Sequence, residues 1–433
     1  MAEWVGDIFT SDLGWEHLET LVDIGNRMAG SPGERAAAEA TRDALADVGA
    51  RNARLDPFDI QGWTRGRAAV LAGDSVQSAI ALPRSPPGAP SGELVDLGYG
   101  LPEDFERDLD GAIVMVDSNV PAWYDRFIHR KEKYDRAVDA GAAGFIFCNH
   151  VEGCLPPTGS IGSESSPIGA IPAVGVSSEV GHRLRRRWSS EPVTVEVEAD
   201  VHGATSQNVH ADIGPDTDAA VLLTSHVDAH DIAEGAGDNG AGTALVLEMA
   251  NALLAREDEL ERRVHVTVFG AEEVGLRGSA HDSRSRDLEG VAAVVNNDGV
   301  VRGRTLECYT HGFDELTAAV EAVAERTGHP IEVSPELNPH SDHWPYVQWG
   351  VPGIHVMSDT GEAGRGWGHT AADTIDKLDV RDLRAQAYLL TELVVDLTAS
   401  DRPLPRREPG AIAEQLEAED LAEGMRLTGE WPY

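Results

Sequence analysis

One stretch, Ala219 to Gly240 (AAVLLTSHVDAHDIAEGAGDNG), constrains the fold more than any other part of this chain. It opens with an apolar run, Ala219 to Leu223, then delivers His226 and Asp228. A glycine-rich turn follows and presents Asp238 ahead of a helical pattern. A short apolar run bounded by turn signals reads as a strand buried on both faces, as in a parallel sheet. Ligands of open α/β sheets lie beyond the carboxyl ends of such strands, so His226 and Asp228 are expected to face a crevice. An imidazole and two carboxylates gathered there point toward a metal.

The same rhythm continues downstream. A helix is expected over Gly240 to Leu254, a strand over Val264 to Phe269 and a helix over about Leu276 to Ser283. A strand over Val291 to Asn296 then leads to Asp298. Helices at Phe313 to Thr327 and Val380 to Thr398, with a strand at Gly353 to Met357, complete the pattern. Strands alternating with helices of this length define an α/β fold with a mostly parallel, doubly wound sheet flanked by helices. At the amino terminus Ser11 is a helix cap candidate for a helix reaching about Met28, AGSPG breaks the chain, and a second helix spans about Glu34 to Val48. Short strands are expected around Ala53 to Ile60 and Arg67 to Leu71.

From about Asp74 the texture changes. PRSPPGAPSG (Pro83 to Gly92) marks a boundary, and short strands around one helix follow, with no pairing of histidine and carboxylate. The expected organisation is a discontinuous catalytic domain, residues 1–74 and 202–400, holding a smaller β-rich insert, residues 75–201. Residues 401–433 read as an acidic tail or peripheral helix. A chain of 433 residues exceeds what one core supports, which agrees with two domains.

Charge narrows the function classes. The net charge is −39, carboxylates are spread along the whole length, and only three lysines occur, Lys131, Lys133 and Lys377. Such a surface repels polyanions, so nucleic acids and anionic membranes are not expected partners. A hydrated carboxylate surface of this density suits a salt-rich, halophilic cytoplasm. Cys148, Cys154 and Cys308 have no metal-binding spacing, and so few thiols fit a reducing compartment. With no signal-peptide pattern at the amino terminus and no long apolar run, the expected location is cytoplasmic.

Three further segments repeat the logic of the first. VHVTVFGAEEVGLRGSAH ends a strand with Glu272 and Glu273, AAVVNNDGV ends one with Asp298, and GHTAADTIDKLD supplies His369 in a loop. Imidazole and carboxylate at an open site suit zinc, or less specifically cobalt or manganese. Neighbouring residues past a strand end point in different directions, so one glutamate can bind metal while the other faces the substrate water. Two ions about 3.5–4 Å apart would polarise a carbonyl and acidify a water together. A free glutamate can move the proton of that water. Asp228 is positioned to accept the other imidazole N–H of His226. Singly, each of these residues has a plain reading as a turn or surface residue in an acidic protein; their joint order at strand ends is the informative feature. His230 and Asp231 compete as ligands.

The segments SHVDAH, GAGDNGAGTA, FGAEEVGLRGSAH, NNDG, HSDHWPYVQWGVPGI and GHTAADT resemble the aminopeptidase Y and glutamate carboxypeptidase family of co-catalytic zinc exopeptidases. The likeness is strong over about Ser206 to Thr398, and RMAGSPGERAA (Arg27 to Ala37) resembles the family's amino-terminal helix region. The insert, with GAIVMVD, AGAAGFIF and IPAVGVS, resembles the protease-associated domain of many members. The resemblance implies the zinc exopeptidase fold and two Zn2+ ions. His226 and Asp298 would be terminal ligands of one ion, Glu273 and His369 of the other, with Asp238 bridging. It further implies Glu272 as general base, Asp228 behind the histidine, and a cis peptide at Asp238–Asn239. Peptides are the implied substrates.

One departure stands out. Related bacterial aminopeptidases carry a tyrosine shortly before the S-D-H segment, where this chain reads ELNPHSDH, with Asn338 and His340. Tyr309, Tyr346 or His340 are the alternatives for its role, and Asp342 reads as lying behind the ligands. A carboxypeptidase or other amide hydrolase on the same site is the main rival. It would need a cation for a terminal carboxylate, and Arg277, Arg302, Arg304 and Arg365 lie in suitable segments. A metal-free receptor or scaffold would have lost ligands, and a single-zinc glutaminyl cyclase-like transferase fits poorly with both His226 and Asp298 and with the insert. The dense acidity carries its own expectation, since self-repulsion grows as screening falls. Transfer from molar salt to dilute buffer should lower the melting temperature followed by circular dichroism. A melting temperature that holds or rises would assign the acidity to another cause.

Overall fold

The computed structural model describes residues 3–361 and 366–433. They form two compact units. The first comprises Met1–Ile60, Thr205–Gly368 and Asp373–Gln415; the second comprises Gln61–Ala204, His369–Ala372 and Leu416–Tyr433. The boundaries expected from composition, at 74/75 and 201/202, compare with 60/61 and 204/205 in this division.

In the first unit the strand Ala220–His226 is buried at every position and has a parallel neighbour on each side, Arg263–Phe269 and Val291–Asn297. Gly353–Ser358 continues the parallel run next to Val291–Asn297. Both margins bring in antiparallel pairs. Leu306–Tyr309 lies antiparallel to Gly353–Ser358, and residues up to Ile213 of the strand Pro192–Ile213 lie antiparallel to Arg263–Phe269. The sheet is therefore mixed, with a parallel centre. That centre is where Val, Leu and Ala run without alternation, because both faces are buried. The helix Ala241–Leu254 packs against it and is itself almost wholly buried. Leu13–Ile24 and Val380–Thr398 pack against that helix in turn.

Register sets the level of the site. Phe269 pairs with His226, and Asn296 with Thr224, so the three central strands stop at one height. The residues that follow, Val227 onward, Gly270 onward and Asp298 onward, emerge along one edge.

Two expectations for the amino-terminal half change. The two short strands are one, Arg51–Ala72. Within it, an added Cβ at Gly62 would lie 2.5 Å from His202 Cε1 and one at Gly66 2.5 Å from the Glu198 carbonyl oxygen. Both glycines mark close approach to the neighbouring strand Pro192–Ile213 and not a turn. The helix expected from Ser11 to Met28 ends at Ile24, where Gly25 takes φ of 75°.

The second unit carries a parallel run of its own, Ser91–Asp96, Ile113–Asp117, Gly144–Cys148 and Ala173–Val176, with Ile80–Ala81 antiparallel at the edge. Its core gathers Leu82, Val114, Val116, Tyr134, Phe145 and Phe147. Two helices accompany it, Arg130–Asp139 and Ser178–Trp188, where the sequence suggested one. The second was missed because its exposed face is a run of arginines and its apolar face is only Val180 and Leu184 wide.

The carboxyl-terminal residues form the helices Pro409–Ala418 and Ala422–Leu427. Within the second unit Lys131 Nζ reaches Glu430 at 2.5 Å and donates to the Thr428 carbonyl, while Arg136 pairs with Glu423 at 2.8 Å. Acidity here serves as a set of partners for buried cations and does not leave the segment in solvent. All three cysteines are free thiols. No helix among the described residues is long and apolar enough to cross a membrane.

Candidate metal centre

His226 closes its strand and is buried. Its Nδ1 lies 3.1 Å from the Asp228 carbonyl oxygen and 3.4 Å from Asp228 Oδ1. The N–H of that nitrogen thus finds the main chain first and the carboxylate second, which fixes the tautomer and leaves Nε2 as the ligand atom. Nε2 has no hydrogen-bonding partner although buried, and two carboxylate oxygens stand beside it, Asp238 Oδ1 and Asp298 Oδ1, each at 3.6 Å. An imidazole lone pair flanked by carboxylates just beyond hydrogen-bonding range is a donor set that fits a divalent cation. His226, Glu272 and Asp298 offer ligand atoms within 4.8 Å of one another.

The Asp228 carboxylate has a second task besides the one expected of it. Its Oδ1 accepts from the Glu272 N–H at 3.0 Å and its Oδ2 from the Glu273 N–H at 3.1 Å. It therefore aims the two glutamates more directly than it aims the histidine. Glu273 is buried, with Oε2 at 2.9 Å from His230 Nε2. Glu272 is partly exposed. Burial, then the charges of Glu273, Asp298 and Asp342, push its carboxyl far above the usual range against the pull of His226. Burial alone would lower His226, but Glu272 and the aspartates Asp228, Asp238 and Asp298 raise it well above 6.5.

Asp238 follows the glycine turn, and its peptide bond to Asn239 is cis, as the resemblance implied. Asp373 Oδ1 accepts from the Gly237 N–H at 2.7 Å, and Oδ2 from the Asp238 N–H at 3.1 Å. Asn239 is locked on its other side, donating to the Asn297 carbonyl at 2.9 Å and accepting from the Gly242 N–H at 3.1 Å. Gly242 must be glycine, since a Cβ there would lie 2.4 Å from the Asn297 carbonyl oxygen.

Asp298 is oriented by a chain of side chains with only one consistent polarity. Its Oδ2 accepts from Ser341 Oγ at 2.7 Å, Ser341 Oγ accepts from Asn296 Nδ2 at 2.9 Å, and Asn296 Oδ1 accepts from Thr224 Oγ1 at 2.7 Å. An ionised carboxylate only accepts, so Ser341 must donate to it, and every link behind follows. Asp373, Asn296 and Thr224 were not singled out by sequence. Asp373 sat in view inside GHTAADT, whereas a polar residue on a buried strand carries no pattern of its own. Asp342, read as lying behind the ligands, is fully buried. Burial, with Asp228 and Asp298, pushes it up to about 8.

The remaining candidates take the following places. Tyr346 is buried and its hydroxyl donates to Asp282 Oδ2 at 2.5 Å, so it is committed elsewhere. Tyr309 lies against His355, ring centroids 6.2 Å apart. His340 and Arg304 are exposed, Asp231, Arg277 and Arg302 partly so. Arg365 lies outside the described residues. His369 is counted with the second unit, takes φ of 58°, and accepts from the Thr158 N–H at 2.8 Å through its carbonyl.

Level parallel strands delivering imidazole and carboxylates to one edge define a metal-dependent hydrolase of the α/β class. The model of Peptidase family M28 matches residues 208–394 and that of the PA domain residues 90–184. Aminopeptidase YwaD of Bacillus subtilis is 27% identical over 93% of this chain and 87% of its own length. The solved aminopeptidase from Aneurinibacillus sp. strain AM-1 superposes with a TM-score of 0.71 at 25% identity, covering 94% of this chain and 99% of that one. A Peptidase M28 precursor from Shewanella amazonensis shares the fold, with a TM-score of 0.78 at 24% identity over 94% and 98% of the two chains. Residues 208–394 thus carry the likeness to peptidase family M28, and the protease-associated domain is inserted ahead of them.

Breaking the chain behind Asp298 should weaken metal binding before it touches anything else. Ser341→Ala is expected to lower metal affinity by about 10- to 100-fold, measured by competition with a chelator. Unchanged affinity would reduce Ser341 to a packing residue.

Proposed function

We propose that this protein is an aminopeptidase that removes amino-terminal residues from peptides with the help of two zinc ions. The observation that carries the reading is the convergence of His226, Asp238 and Asp298 with the Glu272–Glu273 pair beyond three level strand ends. His226 and Asp298 would hold one ion and Glu273 and His369 the other, with Asp238 as a ligand open to both. Cobalt or manganese suits the same donors. His230, at 2.9 Å from Glu273, is read as the outer partner that holds this ligand in place. When bound, the ions supply the Lewis acidity that polarises a scissile carbonyl and acidifies a water.

The chain's own groups do the rest. Glu272 accepts the proton of the attacking water at a carboxylate oxygen and returns it to the leaving nitrogen. Asp228, through the Glu272 and Glu273 N–H groups, keeps the two glutamates pointing apart. The surrounding carboxylates favour a substrate's terminal ammonium over a terminal carboxylate. Arg302 does not argue otherwise, since it stands beside Gly237 and its charge acts on Asp373. Cleavage of carboxyl-terminal residues is the second reading, supported only by the arginines of neighbouring loops.

Peptides are the proposed partners, with neither nucleic acid nor membrane among them. A halophilic cytoplasm is the proposed setting, supported by the net charge of −39 and the free thiols.

Glu272→Gln should retain about two metal ions per chain while kcat on an aminoacyl anilide falls by about 10²- to 10⁴-fold. Retained turnover would remove Glu272 as the base. Peptides with a free amine should be cleaved and their N-acetylated forms spared; release of carboxyl-terminal residues from the acetylated forms would replace aminopeptidase with carboxypeptidase.

A further inference from the structure

The segment RMAGSPGE, at the start of the chain, lies far in sequence from every residue assigned above. Its Glu34 is nonetheless fully buried beside the loop that carries the glutamate pair. That loop leaves its strand at Phe269, and the next four N–H groups have no main-chain acceptor within hydrogen-bonding range. Each is taken by a buried side chain. Asn208 Oδ1 accepts from Gly270 at 3.2 Å, Glu34 Oε1 from Ala271 at 3.0 Å, and Asp228 from Glu272 and Glu273. Ala271 sits at φ of 56°, a left-handed conformation a non-glycine residue holds only when its surroundings dictate it.

Glu34 is tied down equally firmly. It is the third residue of the helix Pro32–Asp47, whose cap Ser31 accepts from the Glu34 N–H at 3.1 Å. Its Oε2 accepts from the Gly30 N–H at 2.7 Å, and its Oε1 also accepts from Ser206 Oγ at 2.7 Å. Gly270 leaves the space this requires, for a Cβ there would lie 2.9 Å from Glu34 Oε1. Two N–H groups and a hydroxyl converging on one side chain suit a carboxylate. Burial, then the charge of Asp228, push Glu34 up to about 8 against those hydrogen bonds. A neutral residue would cap the helix without that electrostatic cost, so capping alone does not account for a glutamate here.

We infer that Glu34 is a positioning residue of the reaction, fixing through the Ala271 N–H the direction in which Glu272 presents its carboxylate. The inference rests on the reading of Glu272 as general base. Glu34 touches neither substrate nor metal ligand, so its loss should act on turnover alone.

The test compares Glu34→Gln, which keeps one acceptor oxygen, with Glu34→Ala, which keeps none. Leu45→Ala, buried in the same helix away from the loop, serves as the stability control. All are assayed as the zinc-loaded full chain well below their melting temperatures, with zinc content measured on the same samples. We expect kcat to fall by about 10- to 100-fold in Glu34→Ala and by less in Glu34→Gln, with KM within about twofold and zinc content unchanged. Wild-type kcat in both variants, an equal loss in Leu45→Ala, or a loss that tracks zinc content would each overturn the inference. Glu272→Gln is run beside them. If it keeps full turnover, the base assignment fails; if it is inactive while the Glu34 variants are normal, only the role of Glu34 fails.

Discussion

Carboxylates do not collect in a protein interior unless positive charge collects with them. Around the level strand ends of the first unit, Asp228, Asp238, Glu272, Glu273, Asp298 and Asp342 act on one another strongly enough to shift several of their proton affinities. The chain's own compensation is thin. It includes His226, whose affinity for a proton is raised, and Arg27, buried and bonded to the main-chain carbonyls of Leu21, Val227, Glu234 and Gly235. Arg27 thus brackets the loop between His226 and Asp238 and lends its charge at a distance. Divalent cations meet the remaining demand, and the rest of the fold can be understood as a frame that keeps the acids from relaxing apart.

That frame works by saturating main-chain groups that strand ends leave open. A parallel strand that stops abruptly exposes N–H groups with no ladder partner, and each needs an acceptor. Here the acceptors are acidic or amide side chains, Asp373 for residues 237 and 238, Asp228 and Glu34 for residues 271 to 273, and Asn239 for residue 242. The same acidic side chains that rigidify the loops also add to the negative field at the centre. Precision and cation affinity therefore come from one set of residues.

This division explains what could be read in advance. His226, Glu272, Glu273 and Asp298 stand where an apolar run gives way to polar residues, and Asp238 closes a glycine-rich turn, contrasts visible in the sequence itself. The parallel centre was legible for the same reason, as Ala220–His226 and Val291–Asn297 are apolar on both faces. Thr224, Asn296 and Glu34 were not legible, because a buried polar residue is distinguished only by its partner, and those partners lie as much as 237 residues away. Gly62 and Gly66, inside the strand Arg51–Ala72, show that a residue without a side chain can mark a close approach as well as a turn.

The scarcity of lysine makes its placement informative. Lys131 and Lys133 are buried in the second unit, where Lys133 Nζ donates to the carbonyls of Asp117 and Asn119 at 2.8 Å each. Burial brings Lys133 down to about 8, against the pull of Asp117. Beside them Glu132 takes Arg126 and Arg136 together, at 2.7 and 2.9 Å. Exposed ion pairs contribute little and are screened further by salt, so surface lysines would add small increments to stability. Buried cations that satisfy carbonyls and enclosed carboxylates are screened far less. Two of the three lysines of this chain thus stand where solvent ions do not substitute for them.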